Sequence, residues 1–231
     1  MKPSHVDVWW VLVDEEQRGG ASDWALLDPG ERERAARFRF ERHRREFVVA
    51  RAELRRILGD CTGKAPGELA FHYSETGKPN LASDPELHFS VSHSDGLAAY
   101  AITRGIPVGI DVERIRELPD LEDLASRYFS PDEAERIRCL PVARRPAAFL
   151  TVWVTREAIV KATGQGITAL EEPLASTGNV IGGLFRGVLD EPSSGWTIIP
   201  LEFATEYVGA VALDGPGTVV LRGARPASRR T

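Results

Sequence analysis

The sequence predicts an α+β fold. Two observations carry the prediction. Both halves of the chain mix helical with strand patterning, and short strands follow one another across turn signals instead of alternating strictly with helices. Taken in order, residues 6–13 are rich in Val and Trp and read as a buried strand. Asp28-Pro29 then opens a helix, because Asp can cap and Pro suits the first helical position. Helical spacing continues, with room for a break, to Leu58 before Gly59; Phe47, Arg51 and Leu54 fall on one face. Residues 59–68 read as loop, punctuated by Gly63, Pro66 and Gly67. Residues 69–73 and 87–91 read as strands around a turn-rich loop, 74–85. Two more strands, 97–103 and 108–112, are joined by the turn Arg104-Gly105-Ile106-Pro107. Ser130-Pro131-Asp132-Glu133 has a helix-capping signature. A longer helix is predicted over 145–163, stopping at Gly164. Residues 196–203, 207–213 and 218–222 read as closing strands, and 223–231 as a polar, frayed tail.

Composition narrows the function classes. The chain has 231 residues, enough for one large domain or two small ones with a sizeable core. With 42% hydrophobic and 27% charged residues, it is not a mostly disordered chain. A net charge of -5 argues against binding a polyanion by bulk charge. Zinc-finger spacing and aromatic RNA-binding signatures are missing too, so no nucleic-acid partner is expected. Cys61 and Cys139 make no disulfide framework and sit at no metal-ligand spacing. The apolar run at 8–13 is too short for a signal peptide and is followed at once by Asp14, Glu15 and Glu16. No stretch approaches the roughly 20 residues that span a bilayer. The expectation is a cytoplasmic protein with no membrane partner.

The basic residues divide into 25 Arg and only four Lys: Lys2, Lys64, Lys78 and Lys161. Residues 31–56 carry ten Arg against five Glu, whereas the rest of the chain is acidic. This stretch reads either as a solvated helix face or as a surface for phosphates or an acidic partner.

Four segments could carry chemistry. In Gly109-Ile110-Asp111-Val112-Glu113, strand alternation puts Asp111 and Glu113 on one face. Two close carboxylates repel unless a proton or a cation lies between them. A hard divalent ion suits them, Mg2+ where a phosphate is also present. The alternative is a strand running into solvent with Arg114 and Arg116 neutralising the acids.

On the long helix, Trp153, Glu157 and Lys161 are spaced by four and share a face. Glu157 and Lys161 could form an ordinary surface pair. The large aromatic on that face, and a Lys in a chain that almost always writes Arg, point instead to proton transfer or phosphate binding. Ser90-Val91-Ser92-His93-Ser94 sets a His among hydroxyls just past a strand. It lacks the serine-hydrolase elbow pattern and fits phosphate oxygens or a plain polar turn. Thr76-Gly77-Lys78-Pro79 holds another retained Lys, in a loop that is not a Walker motif.

Together these segments resemble the 4′-phosphopantetheinyl transferase family, of the larger monomeric type that activates peptide and polyketide synthases. The likeness covers Gly77-Lys78-Pro79, residues 89–94, 108–113 and 153–166. On the long helix the family pattern is Trp-x-x-Lys-Glu-Ala-x-x-Lys. Here it reads Trp153-Val154-Thr155-Arg156-Glu157-Ala158-Ile159-Val160-Lys161, with Arg156 in place of the family Lys.

The resemblance implies two similar α/β halves, 1–107 and 108–231, in a pseudo-twofold arrangement with the active site in the cleft. It implies Mg2+ held by Asp111, Glu113 and Glu157. Coenzyme A would be the donor, its phosphates contacted by Lys161, Lys78, His93 and Ser92. Arg34 would bind the 3′-phosphate, with Arg51 the weaker candidate. The expected partner is an apo acyl or peptidyl carrier protein, whose serine receives phosphopantetheine as 3′,5′-ADP leaves. Glu157, directly or through a metal-bound water, would be the base, and the basic stretch 31–56 would help dock an acidic carrier. Two other readings are a non-catalytic coenzyme A or carrier-protein binding module and a metal-dependent phosphohydrolase.

Overall fold

The computed structural model describes residues 4–13, 20–164, 196–203 and 206–224. They form β1 (Ser4–Leu12), α1 (Ala21–Leu26), α2 (Pro29–Ala36), α3 (Glu41–Thr62), β2 (Phe71–Tyr73), β3 (Pro79–Leu81), β4 (Leu87–Ser94) and β5 (Leu97–Arg104). β6 (Val108–Arg114), α4 (Leu121–Tyr128), α5 (Pro131–Arg138), α6 (Arg145–Thr163), β7 (Trp196–Leu201), β8 (Tyr207–Asp214) and β9 (Gly217–Ala224) complete them. The α+β class is borne out.

Local chemistry sets the helix ends. Asp28 and Glu31 close a reciprocal capping box on α2, and Ser130 and Glu133 close one on α5. α6 has the predicted bounds and stops on Gly164, whose φ of 73° is left-handed. α3 departs from expectation: it runs through Gly59 to Thr62 and is capped by left-handed Gly63. Gly59 is therefore no stop signal. A Cβ there would stand 2.9 Å from the Lys64 carbonyl oxygen, so glycine makes room for the chain returning past the helix.

Three sheets result, ordered β4-β5-β1-β9, β2-β3 and β6-β8-β7. The loop predicted over 74–85 contains β3, which pairs antiparallel with β2. β4 and β5 form a hairpin whose Asp95-Gly96 turn has positive φ at both residues, 39° and 86°. β5 and β6, by contrast, do not pair; the turn between them carries the chain from the first sheet to the third. β9 returns to lie parallel to β1. Of the expected polar tail, Gly223 and Ala224 finish β9, and the remainder lies outside the described residues.

The layers stack as α3, the four-stranded sheet, the three-stranded sheet and α6. Leu54, Ile57 and Leu58 pack on Phe89, Tyr100 and Ile102. Val6, Val8, Ala99 and Ala101 meet Ile110, Val112, Val211 and Leu213 between the sheets. Val154, Ala158 and Ile159 of α6 cover Ala210 and Ala212 of β8. Among the described residues, no helix is long and apolar enough to cross a membrane.

Candidate active site

The site begins with a missing side chain. A Cβ on Gly109 would fall 1.8 Å from the Ala158 carbonyl oxygen and 2.6 Å from the Ala162 nitrogen. Only glycine lets α6 lie directly on β6 at this point. That approach brings the charged face of α6 to the acids of β6. Lys161 Nζ donates to Asp111 Oδ1 at 2.6 Å, and the Asp111 side chain is 7% exposed. The sequence left open a Glu157–Lys161 helix pair; in the fold Lys161 turns to Asp111 instead.

Asp111 and Glu113 are both held from β4. Ser92 Oγ donates to Asp111 Oδ1 at 2.6 Å, and Ser94 Oγ donates to Glu113 Oε2 at 2.8 Å. Of the two arginines expected to neutralise these acids, Arg116 reaches Glu113 at 2.9 Å, whereas Arg114 pairs with Glu206. Glu157 is half-buried. Burial raises its pKa most, nearby Asp111 adds to that, Lys161 opposes it, and Glu113 contributes a further rise. Glu157 therefore feels both acids of β6 and the Lys161 ammonium.

His93 is exposed and, by strand alternation, lies on the opposite face of edge strand β4 from Ser92 and Ser94. Desolvation holds its pKa below the usual value, Lys161 and Arg34 push the same way, and Glu46 opposes them. Side chains from α2, α3, β4 and α6 thus converge there. Arg34 itself lies over the Phe47 ring at 5.1 Å and, among the described residues, makes no ion pair. Arg51 differs, because Glu31 Oε1 takes its Nε at 2.5 Å.

Lys78 is engaged with backbone. Its Nζ donates to the carbonyls of Lys161 at 2.5 Å, Ala162 at 3.3 Å and Val108 at 3.3 Å. Thr76 Oγ1 donates to the Gly164 carbonyl at 2.8 Å. The Thr76-Gly77-Lys78 loop therefore holds the C-terminal end of α6, whose last carbonyls lack helical partners. Burial lowers the Lys78 pKa to about 8. Arg156 points away from the site: buried, it donates to the Tyr128 carbonyl and pairs with Glu133 at 2.7 Å. The departure from the family Lys is thus a strut between α6 and α5.

Much of the basic charge at 31–56 is paired internally. Arg37 pairs with Glu33, Arg42 with Glu46 and Asp95, Arg44 with Glu41, Arg55 with Glu31 and Asp28, and Arg56 with Asp23. Sequence reasoning singled out the segments that hold Thr76, Ser94 and Gly109 but missed the roles of these three residues. The alternation Ser90-x-Ser92-x-Ser94 was the visible signal for Ser94.

Comparison with known proteins decides the family. Residues 107–209 match the model of the 4′-phosphopantetheinyl transferase superfamily, and residues 20–104 match that of the 4′-phosphopantetheinyl transferase N-terminal region. The chain is 37% identical over 216 residues to the 4′-phosphopantetheinyl transferase HetI of Nostoc, covering 92% of this chain and 89% of that one.

The chain belongs to the 4′-phosphopantetheinyl transferase superfamily.

It is a transferase of the larger type. Among other relatives is the psf-1 transferase of Bacillus pumilus, 34% identical over 58% of this chain and 56% of that one. Another is the human L-aminoadipate-semialdehyde dehydrogenase-phosphopantetheinyl transferase, 25% identical over 93% of this chain and 77% of that one. The transferase helix pattern with Arg156 runs on to Gly166, but Gln165 and Gly166 lie outside the described residues.

Proposed function

We propose that this transferase moves 4′-phosphopantetheine from coenzyme A to a serine of an apo acyl or peptidyl carrier protein, with Mg2+, and releases 3′,5′-ADP. The observation that carries the reading is the contact of α6 with β6 at Gly109, which assembles Glu157 and Lys161 beside Asp111 and Glu113.

The donor set suits Mg2+. Asp111, Glu113 and Glu157 offer only carboxylate oxygens, and their mutual repulsion, felt at Glu157, calls for a cation. Among the described residues, no group of three metal-binding side chains is gathered closely enough to hold an ion alone. In this reading the ion would therefore be held by one or two of these carboxylates at a time and complete its shell with water and substrate phosphates. When bound, it would supply charge neutralisation at the pyrophosphate.

The chain's own groups do the rest. The carrier serine oxygen bonds to the pantetheine-side phosphorus. The bridging P–O bond breaks, and 3′,5′-ADP leaves with the electron pair. The serine proton passes to Glu157, whose raised pKa makes it a better acceptor near neutral pH than an exposed carboxylate. Lys161 exchanges Asp111 for phosphate oxygens and stabilises charge on the leaving group. Arg34 and His93, with Ser92 near by, face the nucleotide phosphates. Phosphate binding by Lys78 would exchange its three carbonyl contacts for phosphate oxygens.

In this reading the halves 1–107 and 108–231 are related by a pseudo-twofold axis with coenzyme A between them. The enzyme works in the cytoplasm as a monomer, and the basic stretch 31–56 helps receive an acidic carrier.

The test is mass spectrometry of apo carriers from fatty-acid, polyketide and peptide synthesis, incubated with coenzyme A, Mg2+ and the enzyme. One carrier at least should gain a single phosphopantetheine arm. No gain on any of them would overturn the reading. Coenzyme A binding without transfer would leave a binding module, and 3′,5′-ADP released without a carrier would mark a phosphohydrolase.

A further inference from the structure

β4 is an edge strand of the four-stranded sheet, and β6 is an edge strand of the three-stranded one. An edge strand presents unpaired N–H groups that must find partners when buried. Here three serine hydroxyls of β4 supply them. Ser90 Oγ accepts from Ile110 N–H at 3.1 Å, Ser92 Oγ from Val112 N–H at 3.3 Å, and Ser94 Oγ from Arg114 N–H at 3.1 Å. The spacing is two residues on both strands, so one seam of hydroxyls joins the two sheets.

Two of the three hydroxyls do a second thing. A serine oxygen that accepts still has a proton to donate. Ser92 gives its proton to Asp111, and Ser94 gives its proton to Glu113. Each hydroxyl therefore grips a backbone N–H together with the carboxylate of the residue just before it. The third register position has no carboxylate to receive a proton, because residue 109 is the glycine against which α6 packs. Ser90 thus performs the seam role without the carboxylate role.

We infer that Ser94, and Ser92 by the same device, are positioning residues that aim the Glu113 and Asp111 carboxylates at the site. A hydroxyl donating to a carboxylate makes a short, charge-assisted bond and fixes the rotamer of the acid. An acid anchored on one oxygen keeps its other oxygen for a ligand. The inference rests on the metal-dependent transferase reading, because the direction that matters is the one toward the metal and pyrophosphate.

Calorimetric titration of Mg2+ into the coenzyme A-saturated enzyme, without carrier, tests it. S94A should bind Mg2+ about tenfold more weakly than wild type, the loss typical of removing a partner behind a metal ligand. S94T keeps the hydroxyl and should recover most of that loss. S90A separates orientation from structure. It leaves the buried Ile110 N–H without its partner, as S94A does the part-buried Arg114 N–H, and lowers the melting temperature, but its Mg2+ affinity should equal that of wild type. If S94A does not fold, S94C keeps the volume with only a weak donor and carries the same test. Equal affinities in S94A and wild type would overturn the inference, as would an equal loss in S90A. If the wild type transfers phosphopantetheine and these affinities are equal, the seam role fails and the transferase reading stands. If the wild type binds Mg2+ but modifies no carrier while S94A loses affinity, the transferase reading fails and the orienting role stands.

Discussion

Between α2 and α3, Arg51 and Arg55 meet Asp28 and Glu31; between β6 and α6, Lys161 pairs with Asp111, and Glu157 stands near both along with Glu113. The first cluster is balanced, two cations to two anions, and closed. Arg55 is 0% exposed, pairs with Glu31 and Asp28 at 2.7 Å each, and donates to the carbonyls of Pro66 and Leu69 at 3.0 Å each. Its planar fork satisfies several fixed acceptors at once, which an ammonium on a flexible stem does less well. The second cluster has one ammonium among three carboxylates, with Arg116 at the rim, and Lys161 is 31% exposed. It is held in place from behind by serines and left short of positive charge in front. The contrast teaches that charge density alone does not mark a site; a surplus of one sign in a supported, accessible place does.

The largest effect should come from breaking the closed cluster. Arg55→Met would leave Glu31 with one buried partner fewer and should cost about 3–5 kcal/mol, as expected for a broken buried pair. Urea unfolding would read this, and activity per folded molecule should persist at low temperature. A loss under 1 kcal/mol would mean that the network is replaceable.

Next comes the open cluster. Lys161→Ala should lower turnover by about a hundredfold or more, the usual loss of a charge-stabilising donor, with a native circular dichroism spectrum. Near-normal rates would remove Lys161 from the chemistry.

The smallest effect, and the sharpest test of the contrast, is on stability. Glu157→Gln should abolish most turnover yet raise stability by about 1 kcal/mol or less at neutral pH, since solvent screens a half-exposed acid. The sign follows from its raised pKa. Between the ordinary and the raised value the folded state binds more protons than the unfolded state, so stability falls as pH rises through that window. The advantage of Gln should therefore shrink as pH drops from the raised value to the ordinary one, and vanish below it. Thermal melts across pH would read it, and a destabilised variant at neutral pH would contradict the repulsion.

Particular residues mark how far the sequence was legible. The capping pairs Asp28/Glu31 and Ser130/Glu133, and the end of α6 at Gly164, were readable because caps are local chemistry. Gly59 misled: a glycine that relieves a contact with the Lys64 carbonyl looks the same in sequence as one that ends a helix. The turn 104–107 read as a link between neighbouring strands, yet it passes the chain between sheets, and nothing local distinguishes the two cases. In the site, Asp111, Glu113, Glu157 and Lys161 were all named from spacing. The choice of Lys161 for Asp111 rather than Glu157 was not readable from spacing alone.

What the sequence determined by itself was the α+β class, the helix limits set by caps, and the residue types of the site, because periodicity and capping act over a few residues. The family too was legible in the order of four short motifs. What only the tertiary structure decided was which charges face which. Helix α6 could meet β6 only where Gly109 has no side chain, and β4 could hold the acids only once two sheet edges were brought together. Those contacts join residues far apart in the chain, and their geometry follows from packing rather than from any local preference.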